Sequence, residues 1–195
     1  MKFLSLAMAT ALMAAVPAYA ANTLIAPGTR VAVAKSTMTV VPDREWNKMG
    51  FRPGPSVEDW TIDGGILNDV VFYGGIADGA TLFREADKRN KPLPRFSSTM
   101  LLTDVSALLE GSYRAAAVVP LMTIDSVEPA DFVGSKAVRF TYSFLRANSD
   151  VRRKGEAYAA IVSGKLYMIT YEAPVLYYFD RDLEAFRRIA ASAKL

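Results

Sequence analysis

The sequence predicts an α+β domain, a mostly antiparallel β-sheet flanked by helices with the C-terminal helix packed on the sheet. Three observations carry this reading. Ala137, Arg139, Thr141 and Ser143 alternate with Val138, Phe140, Tyr142 and Phe144, the period of a strand. Around Ser163-Gly164 two runs pair as a hairpin: Val162 faces Lys165, Ala160 faces Tyr167, Tyr158 faces Ile169 and Glu156 faces Tyr171, with Ile161/Leu166 and Ala159/Met168 on the other side. Both faces of that hairpin are largely apolar, so it belongs in the middle of a sheet covered on both sides. Finally, Leu183, Phe186, Ile189, Ala190 and Ala193 form one helical stripe after Asp180 or Asp182, with Arg187, Arg188 and Lys194 toward the end where a helix dipole favours cations.

The chain of 195 residues opens with a segment of another kind. Lys2 precedes an uncharged run over residues 3–29, apolar over residues 3–16 apart from Ser5 and Thr10, and closing on Pro17-Ala18-Tyr19-Ala20. A basic start, a short apolar core and a small-x-small ending define a secretory signal peptide, cleaved between Ala20 and Ala21. Its core is shorter than the roughly 20 residues of a membrane span. The expected organisation is therefore a signal peptide over residues 1–20, a flexible leader over 21–29 and a single α+β domain over 30–195.

Composition narrows the chemistry. The chain has no Cys and no His, so thiol nucleophiles, Ser-His-Asp triads, Cys/His zinc sites and histidine-ligated haem are excluded, and so are disulfides. Asp63, Asp69, Asp78 and Asp87 lack calcium-loop spacing. No metal and no cofactor is expected. Lys and Arg number 23 against 20 Asp and Glu, too even a balance for general nucleic-acid affinity. The expected product is an exported protein, periplasmic or secreted, without a transmembrane segment after cleavage.

In chain order, Arg30 to Ala34 and Met38 to Val41 read as two short strands or one bent strand. Pro42, Asp43 and Glu45 ahead of Trp46 predict one or two helical turns over residues 42–49. Val57 to Ile62 and Asn68 to Tyr73 form a hairpin about Asp63-Gly64-Gly65. Residues 76–98 make a long loop. Asp104 or Thr103 caps a helix to about Ala116 with Val105, Leu108 and Leu109 on one face. A strand over residues 118–124 follows, then a loop marked by Pro129 and Gly134.

Gly155-Glu156-Ala157-Tyr158, then Gly164, Tyr167, Thr170-Tyr171 and Ala173-Pro174, then Phe186-Arg187-Arg188-Ile189-Ala190 leading to Ser192 carry a resemblance. The order of elements and these residues resemble the PsbP-like superfamily, in which a Gly-x-x-Tyr-x-x-Thr-Tyr-x-Ala-Pro strand leads into a C-terminal helix. The resemblance spans residues 139–195 well and the first half loosely. It implies an α+β sandwich and a binding or assembly role in place of catalysis, with no functional residue carried over.

The expected function is accordingly that of a non-enzymatic accessory protein of the cell envelope, acting on an envelope protein partner. Its candidate contact rim is Arg153, Glu156, Tyr171, Glu172, Tyr177 and Tyr178, since Tyr and Arg are enriched at interfaces. Against this stands a reading in which Glu156 is a buried acid paired with an arginine. A first alternative is a peripheral membrane-surface protein using Lys88, Arg89, Lys91 and Arg95, against the reading of a solvated loop. A second is a carboxylate-dependent hydrolase using Glu156 and Glu172, which the hairpin register opposes by sending them to opposite faces.

Overall fold

The computed structural model describes residues 21–116 and 119–195. The expected signal peptide lies outside the described residues, as does Val118 at the start of an expected strand. Ten strands and two helices follow one another: β1 (Thr23–Ile25), β2 (Val31–Ala32), β3 (Thr39–Val40), β4 (Trp46–Lys48), β5 (Val57–Thr61), β6 (Asp69–Ile76), α1 (Val105–Ala115), β7 (Leu121–Phe132), β8 (Ser135–Leu145), β9 (Arg152–Val162), β10 (Lys165–Pro174) and α2 (Tyr178–Ser192). Eight strands form one sheet in the order β1-β4-β5-β6-β10-β9-β8-β7, and β2 and β3 form a separate ribbon.

Alternation along the central strands sorts side chains into two cores. Tyr167, Ile169, Tyr171 and Ala173 of β10 face α2 and the β2–β3 ribbon, together with Val70, Phe72, Phe186 and Ile189. Leu166 and Met168 face α1 with Val71, Tyr73, Leu109, Phe140 and Ala157. The β9–β10 register is the expected one, from Lys165 opposite Val162 to Glu172 opposite Gly155. Ser163 and Gly164 both take positive φ at the turn, 49° and 71°, as a tight two-residue hairpin requires.

Both helices are held by the faces the sequence assigns them. Val105, Leu108, Leu109, Ser112 and Tyr113 are the buried stripe of α1. On the other face the Tyr171 ring stacks on Phe179 and on Phe186, each at 5.4 Å between centroids, and its hydroxyl donates to the Tyr178 carbonyl at 2.8 Å. Ser192 Oγ then accepts from the Val41 amide at 2.8 Å, tying the end of α2 to the ribbon.

Three expectations require correction. Residues 42–49 contain no helical turn; Asn47 and Lys48 pair with Thr61 and Trp60 of β5, and Trp46 is fully buried. The helical pattern there rested on Pro42 and the acids alone, with no apolar repeat to make a helix face, so burial of the indole decides. Thr23 to Ile25, placed in a flexible leader, instead pair with β4 as an edge strand. Pro129 does not end a strand: β7 passes through it to Phe132, pairing with β8 throughout apart from a bulge between Ile124 and Ser126. β7 is the sheet edge, where a proline is tolerated because the missing N–H can fall on the solvent side of the strand.

Phe186 is the contact through which α2 holds the sheet. Phe186→Ala is expected to destabilise the protein by about 3–5 kcal/mol, read as a lower urea midpoint with an unchanged m-value.

Candidate functional site

On the α1 side of the sheet, strands β5, β6 and β10 each deliver a carboxylate to the same region. Asp59 lies on the face of Val57 and opposite Val71, and Glu172 is the direct cross-strand partner of Asp69. Like charges placed opposite each other on a sheet are destabilising. Here they form the floor of a cavity of about 300 Å³, walled by Val71, Tyr73, Phe83 and Tyr113 and opening past Phe51 and the exposed Arg84. The wall is a chain of edge-on aromatic contacts, Tyr73 to Phe83 at 6.2 Å and Phe83 to Tyr113 at 5.4 Å. Phe83 comes from the loop after β6, which is anchored by buried Leu82, Leu93 and Phe96 and closed by a bridge between Thr81 and Arg95.

The three acids are not treated alike. Glu172 Oε1 accepts from the Tyr142 hydroxyl at 2.7 Å and from the Tyr113 hydroxyl. Tyr142 belongs to β8, two strands away, and reaches Glu172 by lying over Gly155 of β9, which is cross-strand neighbour to both. A Cβ at position 155 would sit 2.1 Å from the Tyr142 ring, so the glycine is what lets the tyrosine cross. Asp69 takes longer contacts, Arg146 at 3.4 Å and Arg153 at 3.6 Å. Arg146 also donates to the Gly65 carbonyl at 3.1 Å, and Arg153 donates to the Ile66 carbonyl.

Burial dominates the proton affinities. It raises Asp59 to about 7, with the charge of Glu172 adding to the effect and Arg146 opposing it. Asp69 is raised well above the usual carboxylate range, again by burial first and then by Glu172 and Asp59. Burial and the Glu172 charge also raise Tyr73, Tyr113 and Tyr142, which therefore stay neutral. Among the described residues, Tyr73 Oη, Asp59 Oδ1 and Asp69 Oδ1 are buried atoms without a hydrogen-bond partner, and all three residues line the cavity. No three carboxylates of the described residues are placed to hold a metal ion.

The six residues of the candidate rim are divided by the sheet. Glu172 lines the cavity and Arg153, 3% exposed, is buried behind it. Glu156 and Tyr171 lie on the α2 side, where Glu156 takes a fork from Arg187 at 2.9 and 2.8 Å and the Tyr158 hydroxyl at 3.1 Å. Tyr177 and Tyr178 start α2, under the Arg181 guanidinium at 5.4 and 4.9 Å. Glu156 and Glu172 occupy opposite faces. In the basic loop Lys88, Arg89 and Lys91 are exposed, and Arg95 bonds Glu85 at 3.0 Å and the Gly79 carbonyl at 2.7 Å.

No family model matches the chain, and no curated protein matches it in sequence. Among solved structures it is similar to the cyanobacterial PsbP protein CyanoP of Synechocystis sp. PCC 6803, with a TM-score of 0.51 and 16% identity, over 94% of this chain and 98% of that one. This chain has the PsbP-like fold. LpqN of Mycobacterium tuberculosis, a protein involved in cell envelope biogenesis, matches at a TM-score of 0.32 and 11% identity, over 90% of this chain and 84% of that one.

Within the PsbP-like sheet, sequence reasoning missed Asp59, Asp69, Tyr73 and Tyr113 as one group. The available signals were two adjacent acids, Glu58 and Asp59, inside a strand that otherwise buries Val57 and Trp60, and a glycine in mid-strand at position 155. Two predictions test the geometry. Gly155→Ala is expected to cost about 1–3 kcal/mol through overpacking against Tyr142, measured by chemical unfolding.

The second concerns pH. The folded state holds the Asp59 proton up to about pH 7, against an ordinary value of 3.8, so folded protein binds more protons in that interval and stability falls as pH rises through it. Asp59→Asn stays neutral at every pH, so its gain in Tm over wild type is expected to be larger at pH 8 than at pH 5, roughly 2–4 °C for each kcal/mol at this chain length. Equal gains at both pH values would mean an ordinary Asp59.

Proposed function

We propose that this protein is an exported, non-enzymatic accessory protein of the cell envelope that works by binding, and that the cavity beneath α1 is where it binds a small molecule. The observation that carries this reading is the cavity floor, where Tyr73 Oη, Asp59 Oδ1 and Asp69 Oδ1 are buried without a hydrogen-bond partner in residues that line a cavity opening past Phe51 and Arg84. Buried polar groups are ordinarily satisfied, and a largely apolar pocket with a few convergent polar groups is the usual form of a ligand site. Export is supported by the signal-like sequence of residues 1–20. Binding in preference to catalysis is supported by the absence of His and Cys, by the placement of Glu156 and Glu172 on opposite faces, and by the role that the PsbP-like resemblance implies.

A second reading, contact with an envelope protein partner, is favoured by one end of the sheet. Leu176 and Tyr177 are 81% and 70% exposed, and Ile66, on the neighbouring turn, is 76% exposed. Tyr177 has a φ of 70°, a left-handed conformation that costs a non-glycine residue about 1–3 kcal/mol and concentrates at functional positions. Of the six candidate rim residues this end keeps Tyr177 and Tyr178 together, with Arg181 over both rings.

Native mass spectrometry of the protein recovered from the envelope fraction tests the first reading. The expected chain begins at Ala21 and carries a small-molecule adduct that Val71→Phe, which fills the cavity, loses while remaining folded. Retention of residues 1–20 rejects export; a wild-type protein without adduct, or a folded Val71→Phe that keeps it, rejects the cavity as the seat of binding.

A further inference from the structure

Resting on the cavity reading above, we propose that the ligand is an organic cation: a protonated amine on a compact apolar or aromatic body, its ammonium seated between Asp59, Asp69 and the Tyr73 hydroxyl. The buried atoms without partners in the cavity-lining residues are all oxygens, two of carboxyl groups and one of a phenol; an ionised carboxylate accepts and the phenol does either. An ammonium offers three donors and no acceptor, and so complements this set.

The charges around the site point the same way. Asp59 on β5, Asp69 on β6 and Glu172 on β10 supply three carboxylates to the floor. Facing them are Arg146, which lines the cavity and already serves the Gly65 carbonyl and Asp69, and Arg153, which is committed to the Ile66 and Glu172 carbonyls and to Asp69. Arg84 is exposed at the mouth, where water and salt screen it. Neither the half-buried Arg146 nor the buried Arg153 reaches Asp59 within ion-pair distance among the described residues, so the carboxylate on β5 is left for a cation from outside. An anion would meet three acids, with Arg146 and Arg153 already beside Asp69 and Arg84 out at the mouth.

The body of the ligand is defined by the walls. Val71, Phe83 and Phe51 are apolar, and Tyr73, Phe83 and Tyr113 present rings along one side, which suits a hydrocarbon or aromatic group and adds cation–π attraction for the charged end. A space of about 300 Å³ lies at the lower end of small-molecule sites, so the ligand is compact.

Calorimetric titration of the intact protein with 2-phenylethylamine, 2-phenylethanol and 3-phenylpropanoate separates the possibilities, since the three share a ring and differ in charge. The amine is expected to bind at least about tenfold more tightly than the alcohol, with the carboxylate weakest. Asp59→Asn, shown folded by thermal unfolding, is expected to bring the amine to the level of the alcohol while alcohol binding persists. Affinity for the amine is expected to rise from pH 6 to pH 8, as Asp59 gives up its proton with Asp69, Glu172, Arg146 and Tyr73 around it. Alcohol or carboxylate binding as tight as that of the amine, in a manner that Val71→Phe abolishes, overturns the cation and leaves the cavity. An amine preference that survives Asp59→Asn overturns the assignment of the ammonium seat. No binding of any of the three overturns this inference, and the adduct experiment then decides the cavity by itself.

Discussion

Strand β10 is buried on both faces from Leu166 to Pro174, and the rest of the protein depends on that. A strand in this position cannot shift register. A slip of one residue would carry Glu172 into the α2 core and Tyr171 into the cavity, exchanging a charge for an aromatic ring on each side. The tight turn at Ser163-Gly164 fixes β9 against β10, and β6 closes the other edge. With the register set, Tyr171 is aimed at α2 and Glu172 at Asp69, so the same constraint produces both the helix anchor and the acidic floor.

The buried acids show which parts of this arrangement are scaffold. Glu58 takes the Ala34 amide, the Trp60 indole, Arg52 and Lys48. Asp182 takes Arg44, Arg181 and Asn68, and Glu156 takes Arg187 and Tyr158. Each joins distant segments through charge-assisted bonds, and breaking such a set leaves an uncompensated buried charge that costs about 3–5 kcal/mol. All three lie on the α2 side or at the start of α2. Across the sheet, Glu172 is satisfied by two tyrosines, whereas Asp59 and Asp69 keep open positions. The acids of the α2 side are satisfied and Asp59 and Asp69 of the cavity side are not, which separates the carboxylates that hold the fold from those left toward the cavity.

Most of the fold was legible because it follows from period and turn chemistry. The alternation of residues 137–144, the Ser163-Gly164 turn and the stripe from Leu183 to Ala193 each state a local structure, and tertiary packing agrees with all three. The failures lie where local pattern and packing disagree. Residues 42–49 carry helix-start residues but one buried indole, and residues 23–25 gain their strand only from a partner strand that the sequence does not announce. The site was less legible for a related reason. Asp59, Asp69 and Glu172 are separated along the chain and become neighbours only through the order β5-β6-β10, in which a strand from the end of the chain is inserted beside one from its first half. Adjacency of Glu156 and Tyr171 could be read from a single hairpin; adjacency of Asp69 and Glu172 could not.

The likeness to CyanoP, at 16% identity, carries the fold and leaves the site to be argued from this chain's own residues. Gly155 shows how the two requirements meet. As part of a buried hairpin it is a weak choice, since glycine in a strand interior gives up packing and conformational entropy. Its effect is to let Tyr142 cross β9 and satisfy Glu172, which would otherwise compete with Asp59 and Asp69 for the same arginines. With Glu172 held by tyrosines, Arg146 and Arg153 remain with Asp69, and Asp59 is left open toward the cavity. A position that weakens the strand is thereby the one that keeps the floor's charge uneven, and that unevenness is the basis for selecting a cation.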